Sequence, residues 1–286
     1  GTFTVQNALF RYASNGATNV TPASYAQLDF GALGATSPVY TMLAGTFSVG
    51  STFNVGVVAT NTVTVNANTN DPTLTLSGNV NIVASSTFIL SDSGALTARR
   101  NWTNAGTTTP SGGTVTFDAT TTGFTISTGA SPFANVVFNN ASGGWTIASN
   151  ATATANLSLA ALAAFTQSPN TTLEIGGVFT NSVGGSATTW ATSTLYLNSN
   201  AVETINASTT GADLYGTLLT GGTTQVRMWN SSAATTTTNS ASSVYSMNHA
   251  GVSGALNIWG TYSHSSGADY WDYATDFDGT SIVSTP

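Results

Sequence analysis

A short strand pattern restarts along nearly the whole of this 286-residue chain. A bulky apolar residue is followed by an apolar residue two positions on, and by another four positions beyond that. Alternation with period two places apolar side chains on one face of a strand. Recurrence at this scale is typical of repeat architectures, in which each unit buries its apolar face against its neighbours. The pattern occurs at Phe3-Val5-Leu9, Phe47-Val49-Phe53, Leu74-Leu76-Val80, Leu96-Ala98-Trp102, Leu173-Ile175-Phe179 and Leu256-Ile258-Tyr262.

Longer passages also return. Gly1-Thr2-Phe3-Thr4-Val5 is repeated as Gly45-Thr46-Phe47-Ser48-Val49, with one hydroxyl residue exchanged for another. Three successive segments that begin at Trp102, Thr114 and Phe124 have counterparts that begin at Phe179, Thr194 and Glu203. The offset between the two passages is nearly the same for all three segments. The repeat is therefore long enough to predict an architecture from it.

The chain is predicted to be all-β. Strand candidates come about every ten residues, and β-branched Thr and Val, which favour strands, dominate them. Turn signals such as Gly112-Gly113 and Gly143-Gly144 separate the candidates. A β-sandwich or jelly roll would show hairpins with two-residue turns such as Asn-Gly, and Asn15-Gly16 is the one such dipeptide. The spacing favours a right-handed parallel β-helix, a β-solenoid, with the sandwich as the alternative.

The coils can be placed from the same spacing. The stretch from Phe47 to Leu74 and the stretch from Leu74 to Leu96 are each plausible for one coil. In segments such as Thr73-Leu74-Thr75-Leu76 the hydroxyls should point outward and the apolar groups inward. The inward set is expected to include Val63, Val65, Leu74, Leu76, Val115 and Phe117. We expect three regions: 1–38 as an N-terminal strand, cap or inter-subunit segment, 39–264 as the solenoid, and 265–286 as a C-terminal linking or capping segment.

Charge is scarce in this sequence. Charged residues make up 5% of the chain, lysine is absent, and the formal net charge is −7. Nucleic-acid binding and polybasic membrane attachment both depend on clustered cations, so neither is expected. No apolar run approaches the 18 or so residues of a membrane helix, and membrane insertion is not expected. Solubility must come from hydroxyls and amides, since Ser and Thr supply 87 residues and Asn another 26.

The absence of cysteine excludes stabilisation by disulfides. The sequence begins at Gly1 within a strand pattern, without an initiator Met or a signal peptide. This start is expected of a processed chain or of a piece cut from a longer one.

A cation site is the first candidate for chemistry. Asp269, Asp272, Asp276 and Asp278 place four of the eleven acids within ten residues, and Ca²⁺ takes several carboxylate oxygens. Asp276-x-Asp278-Gly279 resembles part of a calcium loop but lacks its remaining ligands. The favoured interpretation is a solvated, aromatic-rich terminal segment, and no metal or cofactor is expected.

Enzymatic groups are sparse. His249 and His264 lack the partners of a zinc site, and no Gly-x-Ser-x-Gly elbow occurs. A polysaccharide lyase or hydrolase needs clustered carboxylates or a basic group in a groove. Glu174 and Glu203 stand isolated, and Asp92 is the one acid near Arg99-Arg100 in sequence. No catalytic residue is assigned, and the six tryptophans are expected in the core or an end cap more than on a sugar-stacking surface: Trp102, Trp145, Trp190, Trp229, Trp259 and Trp271.

Two segments carry a resemblance to a known class of proteins. The segments Asn101-Trp102-Thr103-Asn104-Ala105-Gly106-Thr107 and Gly112-Gly113-Thr114-Val115-Thr116-Phe117-Asp118 resemble repeats of large secreted bacterial surface proteins rich in Thr, Asn and Gly. Those proteins form β-solenoid stalks comparable to filamentous-haemagglutinin and autotransporter adhesins. The segment 270–280 resembles a linking segment that follows such repeats. The resemblance implies an extracellular or cell-surface protein, and it brings no catalytic motif with it.

Three hypotheses of function follow. The first is a non-enzymatic subunit of a self-assembling surface filament or stalk, with copies of the chain joined head to tail. The second is an adhesin passenger that binds glycans or other surface components through flat Thr and Asn faces. The third, a β-helical polysaccharide enzyme that would use Asp92 or Arg99, is the least favoured because acid–base groups are scarce.

Overall fold

A computed structural model describes residues 4–57, 62–199 and 201–206, and beyond them 215, 217–221, 225–229, 236–239, 246–250, 255–259, 261–264 and 276–278. Within these residues the regular secondary structure is β-strand, with one 3₁₀ turn at Gly185–Ala187 and no α-helix. Every strand pairing is parallel, and the strands stack as a β-solenoid of about 8 turns. The predicted fold class is confirmed, and the antiparallel sandwich was the wrong alternative. The right hand of the winding stays a prediction.

The strands are short and regular. The first ten are β1 (Thr4–Ser14), β2 (Thr18–Val20), β3 (Ser24–Ala32), β4 (Val39–Met42), β5 (Thr46–Val49), β6 (Thr52–Val55), β7 (Thr64–Asn66), β8 (Thr73–Leu76), β9 (Asn79–Ile82) and β10 (Thr87–Ile89). The next ten are β11 (Leu96–Ala98), β12 (Trp102–Asn104), β13 (Thr107–Thr109), β14 (Thr114–Phe117), β15 (Phe124–Ser127), β16 (Asn135–Ile147), β17 (Ala151–Ala153), β18 (Leu157–Gln167), β19 (Thr172–Ile175) and β20 (Phe179–Asn181). The last ten are β21 (Thr188–Thr189), β22 (Thr194–Leu197), β23 (Val202–Asn206), β24 (Thr217–Gly221), β25 (Gln225–Trp229), β26 (Thr236–Asn239), β27 (Ser246–Ala250), β28 (Ala255–Trp259), β29 (Thr261–His264) and β30 (Asp276–Asp278).

The strands form three columns along the solenoid. Column A contains β5, β8, β11, β14, the first halves of β16 and β18, and β20. Column B contains β6, β9, β12, β15, the second halves of β16 and β18, and β21. Column C consists of two separate five-stranded sheets, the first with β2, β4, β7, β10 and β13 and the second with β17, β19, β22, β24 and β27, and no pairing between described strands joins β13 to β17. Columns A and B belong to one sheet because β3, β16 and β18 run through both of them.

The N-terminal strands stack in the same way as the later coils. β1 pairs with β3 in parallel, and β2 pairs with β4 in column C. In column A, Phe47 pairs with Leu74 and Leu74 pairs with Leu96. The predicted coils, from Phe47 to Leu74 and from Leu74 to Leu96, are therefore confirmed.

The inward-facing side chains make one continuous apolar core. All six predicted inward residues are buried: Val63, Val65, Leu74, Leu76, Val115 and Phe117. Aromatic rings contact one another from coil to coil at distances within the range of favourable ring pairs. The series has centroids 5.0–6.4 Å apart at each step and runs through Phe10, Tyr12, Phe30, Phe53, Phe88, Trp102, Phe117, Phe138, Phe165, Trp190 and Tyr215.

The longer sequence repeat joins segments of different columns. Trp102-Thr103-Asn104 is β12 of column B, whereas its counterpart Phe179-Thr180-Asn181 is β20 of column A. The sequence repeat therefore indicates a strand that is followed by an Asn or Gly corner. It does not indicate in which column of the solenoid that strand lies.

We predict that Phe117→Ala destabilises the chain by about 3–5 kcal/mol, the usual cost of deleting a buried ring. Phe117 is fully buried and its ring contacts those of Trp102, Phe133, Phe138 and Trp145. Urea unfolding measures the change. The neighbouring outward-facing Thr116→Ala is the control and should cost within about 0.5 kcal/mol. An equal loss for both variants would contradict the assignment of inward and outward faces.

Candidate functional site: an uncharged hydroxyl face and its polar ladders

The outward side of column A is the most regular surface of the solenoid. Ser48, Thr75, Thr97 and Thr116 pair in register across four successive coils. The same row continues through Val137, Ser158 and Thr180. A second row lies two positions earlier on each strand and includes Thr46, Thr73, Thr114 and Asn135. We call these eleven residues the hydroxyl face.

The hydroxyl face carries no charged side chain over its seven coils. Adjacent coils place equivalent groups about 4.8 Å apart along the solenoid, and the two rows are separated by about 6.6 Å along each strand. Most of the side chains are half-buried, because each lies between its neighbours in the coils above and below. The result is a surface of mainly hydroxyl donors and acceptors, interrupted by Val137, without an ionic group to attract a charged ligand.

Asparagines lie on and beside this face at the coil corners. The Asn135 side-chain amide donates to the Gly112 carbonyl at 2.8 Å, and its Oδ1 accepts from the Asn156 backbone N–H at 3.2 Å. Asn156 Oδ1 in turn accepts from the Val178 N–H at 2.8 Å. The corner amides thus satisfy backbone groups that no strand partner reaches.

An ion pair begins a polar ladder at the N-terminal coil. The Arg11 guanidinium donates to Asp29 Oδ2 at 3.1 Å, and Asp29 is only 2% exposed. Gln27 Nε2 and Asn54 Nδ2 both donate to Asp29 Oδ1, at 3.0 and 2.7 Å. Asn81 Nδ2 then donates to Asn54 Oδ1 at 2.9 Å. The buried carboxylate accepts hydrogen bonds from three side chains, so it is not available to an external ligand, and removing one of these partners would leave it less well compensated.

The second ion pair involves Arg99. Its guanidinium lies 3.3 Å from Asp118 Oδ2, with 43% and 27% of the two side chains exposed. Asn140 Nδ2 donates to Asp118 Oδ1 at 2.8 Å. The neighbouring Arg100 lies over the Phe124 ring, 5.6 Å from its centroid. Both arginines are thus occupied by contacts within the protein.

Asp92, the one acid near Arg99-Arg100 in sequence, lies elsewhere. Its backbone N–H donates to Asp71 Oδ1 at 3.3 Å in a corner of the chain. The Ser91 hydroxyl also donates to Asp71 Oδ1, at 2.7 Å, and this hydrogen bond lowers the pKa of the Asp71 carboxyl. The structure therefore gives Arg99 the acid of the next coil, Asp118, as its partner. No signal in the sequence alone pointed to this ion pair, because it depends on the in-register pairing of Ala98 with Phe117.

Glu203 is a buried carboxyl that sequence reasoning missed. It lies on β23 and is fully buried. Its Oε2 accepts from the Phe179 backbone N–H at 3.0 Å, and its Oε1 accepts from the Ser199 hydroxyl at 3.3 Å. Burial raises the pKa of this carboxyl, and the two hydrogen bonds oppose the shift only in part. Glu174, the other glutamate, lies on β19 in column C and accepts from Asn198 Nδ2 at 2.9 Å.

The tryptophans with described side chains belong to the core. Trp102, Trp145 and Trp190 are at most 2% exposed, so they offer no surface for sugar stacking. Trp229 and Trp259 lie on β25 and β28, and Trp271 lies outside the described residues.

Only two of the four candidate calcium ligands lie in the part of the chain that the structure describes. Asp276 and Asp278 begin and end β30, whereas Asp269 and Asp272 lie outside the described residues. His249 lies on β27 and His264 on β29, which belong to different sheets. The calcium site therefore stays the less favoured alternative, and the absence of a metal stays a prediction.

We predict that Glu203→Gln changes how stability depends on pH. The folded-state pKa of Glu203 is raised above its ordinary value near 4.5, so folding favours the protonated carboxyl. The stabilisation that the protonated Glu203 carboxyl gives the folded chain is fully present below that value. It is lost as the pH rises through the folded-state pKa. Urea unfolding should show the variant more stable than the native chain near neutral pH, with the difference shrinking in acid. Glu174→Gln removes the same charge from a half-buried position and is the control. A Glu203→Gln variant that loses stability at every pH would contradict the prediction.

Neither a metal centre nor a relative of known function adds to this surface. Across the part of the chain that the structure describes, no three His, Cys, Asp or Glu side chains come together as a metal site. In the same residues, no helix is long and apolar enough to cross a membrane. Comparison of the chain with family models, with curated proteins and with solved structures gives no match.

Proposed function

We propose that this chain is a non-enzymatic structural protein of the cell surface, a subunit that stacks end to end with copies of itself into a filament or stalk. The observation that carries the proposal is the open edge of β1. β3 is the one strand that pairs with β1 among the described residues, so within this part of the chain the opposite edge of β1 has no strand partner. Such an edge is a template for another strand.

The direction of the backbone groups on β1 identifies the open side. The Ser14 carbonyl accepts from the Leu33 N–H, so Ser14 points its backbone groups toward β3. Backbone groups alternate along a strand, so those of Leu9, Arg11 and Ala13 point toward the open edge. Leu9 is 50% exposed and lies beside this edge. An added parallel strand would bond these residues and cover Leu9 without disturbing the β1–β3 pairing.

The scarcity of charge supports the same proposal. Like charges that repeat at about 4.8 Å along a stacked column would repel one another strongly. A surface of Thr, Ser and Asn avoids that repulsion at any number of copies. A chain without lysine and with four arginines also offers few tryptic cleavage points, which suits a long-lived extracellular fibre.

A second candidate is surface binding through the hydroxyl face. Its regular, uncharged rows can hydrogen-bond a neutral hydroxylated partner, so an adhesin passenger that binds glycans is the alternative function. A long monomeric rod with glycan affinity would favour this alternative over a filament. A polysaccharide enzyme is less favoured, because Glu174 and Glu203 lie in different sheets and Arg99 is paired with Asp118.

Electron microscopy of the purified chain at high concentration tests the filament. We predict fibres for the native chain and monomers for Ala13→Pro, since proline removes the one N–H of Ala13 at the open edge. Ala13→Ser retains that N–H and is the matched control, which should form fibres. Monomers of the native chain at high concentration would contradict self-assembly. Fibres of Ala13→Pro as abundant as those of Ala13→Ser would contradict the use of the β1 edge.

A further inference from the structure

We propose that Asn15 is a site of spontaneous chemical modification, at which the Asn15–Gly16 peptide cyclises, loses ammonia and is hydrolysed to a mixture of aspartyl and isoaspartyl products. This inference is independent of the proposed function. It rests on the corner between β1, which ends at Ser14, and β2, which begins at Thr18. Asn15 and Gly16 are both exposed in this corner, and the sequence contains no second Asn-Gly dipeptide.

The chemistry is complete with water as the co-reactant. The Gly16 backbone nitrogen loses its proton and attacks Asn15 Cγ, so that a C–N bond forms in a five-membered succinimide. The Cγ–Nδ2 bond breaks, and Nδ2 leaves as ammonia after it takes up a proton. Water then opens the ring at either carbonyl. Opening at one gives aspartate, and opening at the other gives isoaspartate, in which the main chain runs through the side-chain carbon.

The attack on Asn15 Cγ meets little steric hindrance at Gly16. A Cβ built on Gly16 would meet no atom within 4 Å, so no distant part of the chain crowds the corner on that side of Gly16. Glycine also samples more backbone conformations than any other residue, which eases the approach of the nitrogen to the side-chain carbon. The attack requires no movement of the strands, because Asn15 and Gly16 lie outside β1 and β2.

Other asparagines lack this combination. Asn135 and Asn156 use their side-chain oxygens to accept backbone N–H groups from the following coil. Asn150 does the same, accepting the Thr172 N–H at 2.8 Å. These hydrogen bonds hold the side chain away from its own following peptide nitrogen, and none of the three precedes a glycine.

Hydrogen bonds to Ser14 slow the reaction. The Gly16 N–H donates to Ser14 Oγ at 3.1 Å, while the Ser14 hydroxyl donates to the Gly16 carbonyl at 3.1 Å. The attacking nitrogen must give up the first of these bonds. Ser14 is therefore a positioning residue that keeps the corner in its unreacted form.

The modification would alter the end of the solenoid. Either product adds one negative charge to a chain whose formal charge is −7. The isoaspartyl product also lengthens the main chain between β1 and β2 by one atom. Both changes fall directly after Ser14, the last residue of β1, so this end of β1 is expected to pair less firmly with β3.

Incubation of the purified, folded chain in warm, mildly alkaline buffer tests the proposal. Mass spectrometry of the tryptic peptide that begins at Tyr12, together with enzymatic labelling of isoaspartate, measures the product at Asn15. We expect Asn15 to be modified faster than any other described asparagine. Gly16→Ala should slow the reaction about tenfold, which corresponds to roughly 1.4 kcal/mol in the activation free energy. The substitution is structurally mild, because its Cβ enters open space and Gly16 does not require a left-handed φ.

Ser14→Ala removes the hydrogen bond to the Gly16 N–H and should accelerate the reaction several-fold. Asn150 in the same samples is the internal control. The absence of product at Asn15, or equal rates for the native chain and Gly16→Ala, would overturn the proposal. An unchanged rate in Ser14→Ala would overturn the role given to Ser14.

Discussion

The structure depends on hydrogen bonds between parallel strands of successive coils. Strands inside columns A, B and C take their backbone partners from the neighbouring coils, so each coil must stack on the next at the strand spacing of about 4.8 Å. In-register stacking then forces each inward side chain onto the equivalent side chain of the next coil. A core forms only if those positions are apolar throughout, as in the series Phe47, Leu74, Leu96, Val115, Val136, Leu157 and Phe179.

The number of residues per coil varies, because the corners between strands differ in length while the strands stay in register. Along this series the longest step in sequence is from Phe47 to Leu74 and the shortest is from Leu96 to Val115, yet both pairs lie in register. Some corners pack closely against the coil before them. At Gly78, for example, a Cβ would collide with the Ser51 carbonyl. The same geometry aligns polar groups on the outside. Arg11, Asp29, Asn54 and Asn81 meet as a ladder, and the hydroxyl face becomes a lattice from residues that are far apart in sequence.

The all-β solenoid and much of its interior could be predicted from the sequence. Period-two alternation is a local property, and the pairing of Leu74 with Leu96 followed from one spacing. The column of each strand could not be predicted. Every side of a coil uses the same strand and the same Asn or Gly corner, so Trp102 and Phe179 match in sequence but lie in different columns. The pairing of Arg99 with Asp118 was missed because it depends on the exact register of two coils. Glu203 was missed because its counterpart in the repeat is the apolar Phe124, and only the packed structure shows that a carboxyl is buried there.

Distances between pairs of spin labels along the hydroxyl face test the stacked, in-register coil most directly. The chain has no native cysteine, so labels on introduced cysteines report one pair at a time. With one label at Ser48→Cys, the second is placed at Thr116→Cys, Ser158→Cys or Thr180→Cys, which lie three, five and six coils away. The expected Cα separations are about 14, 24 and 29 Å, increasing by one strand spacing per coil regardless of the residues between them. Distances that do not increase in this order would show that the strands do not stack as a parallel solenoid.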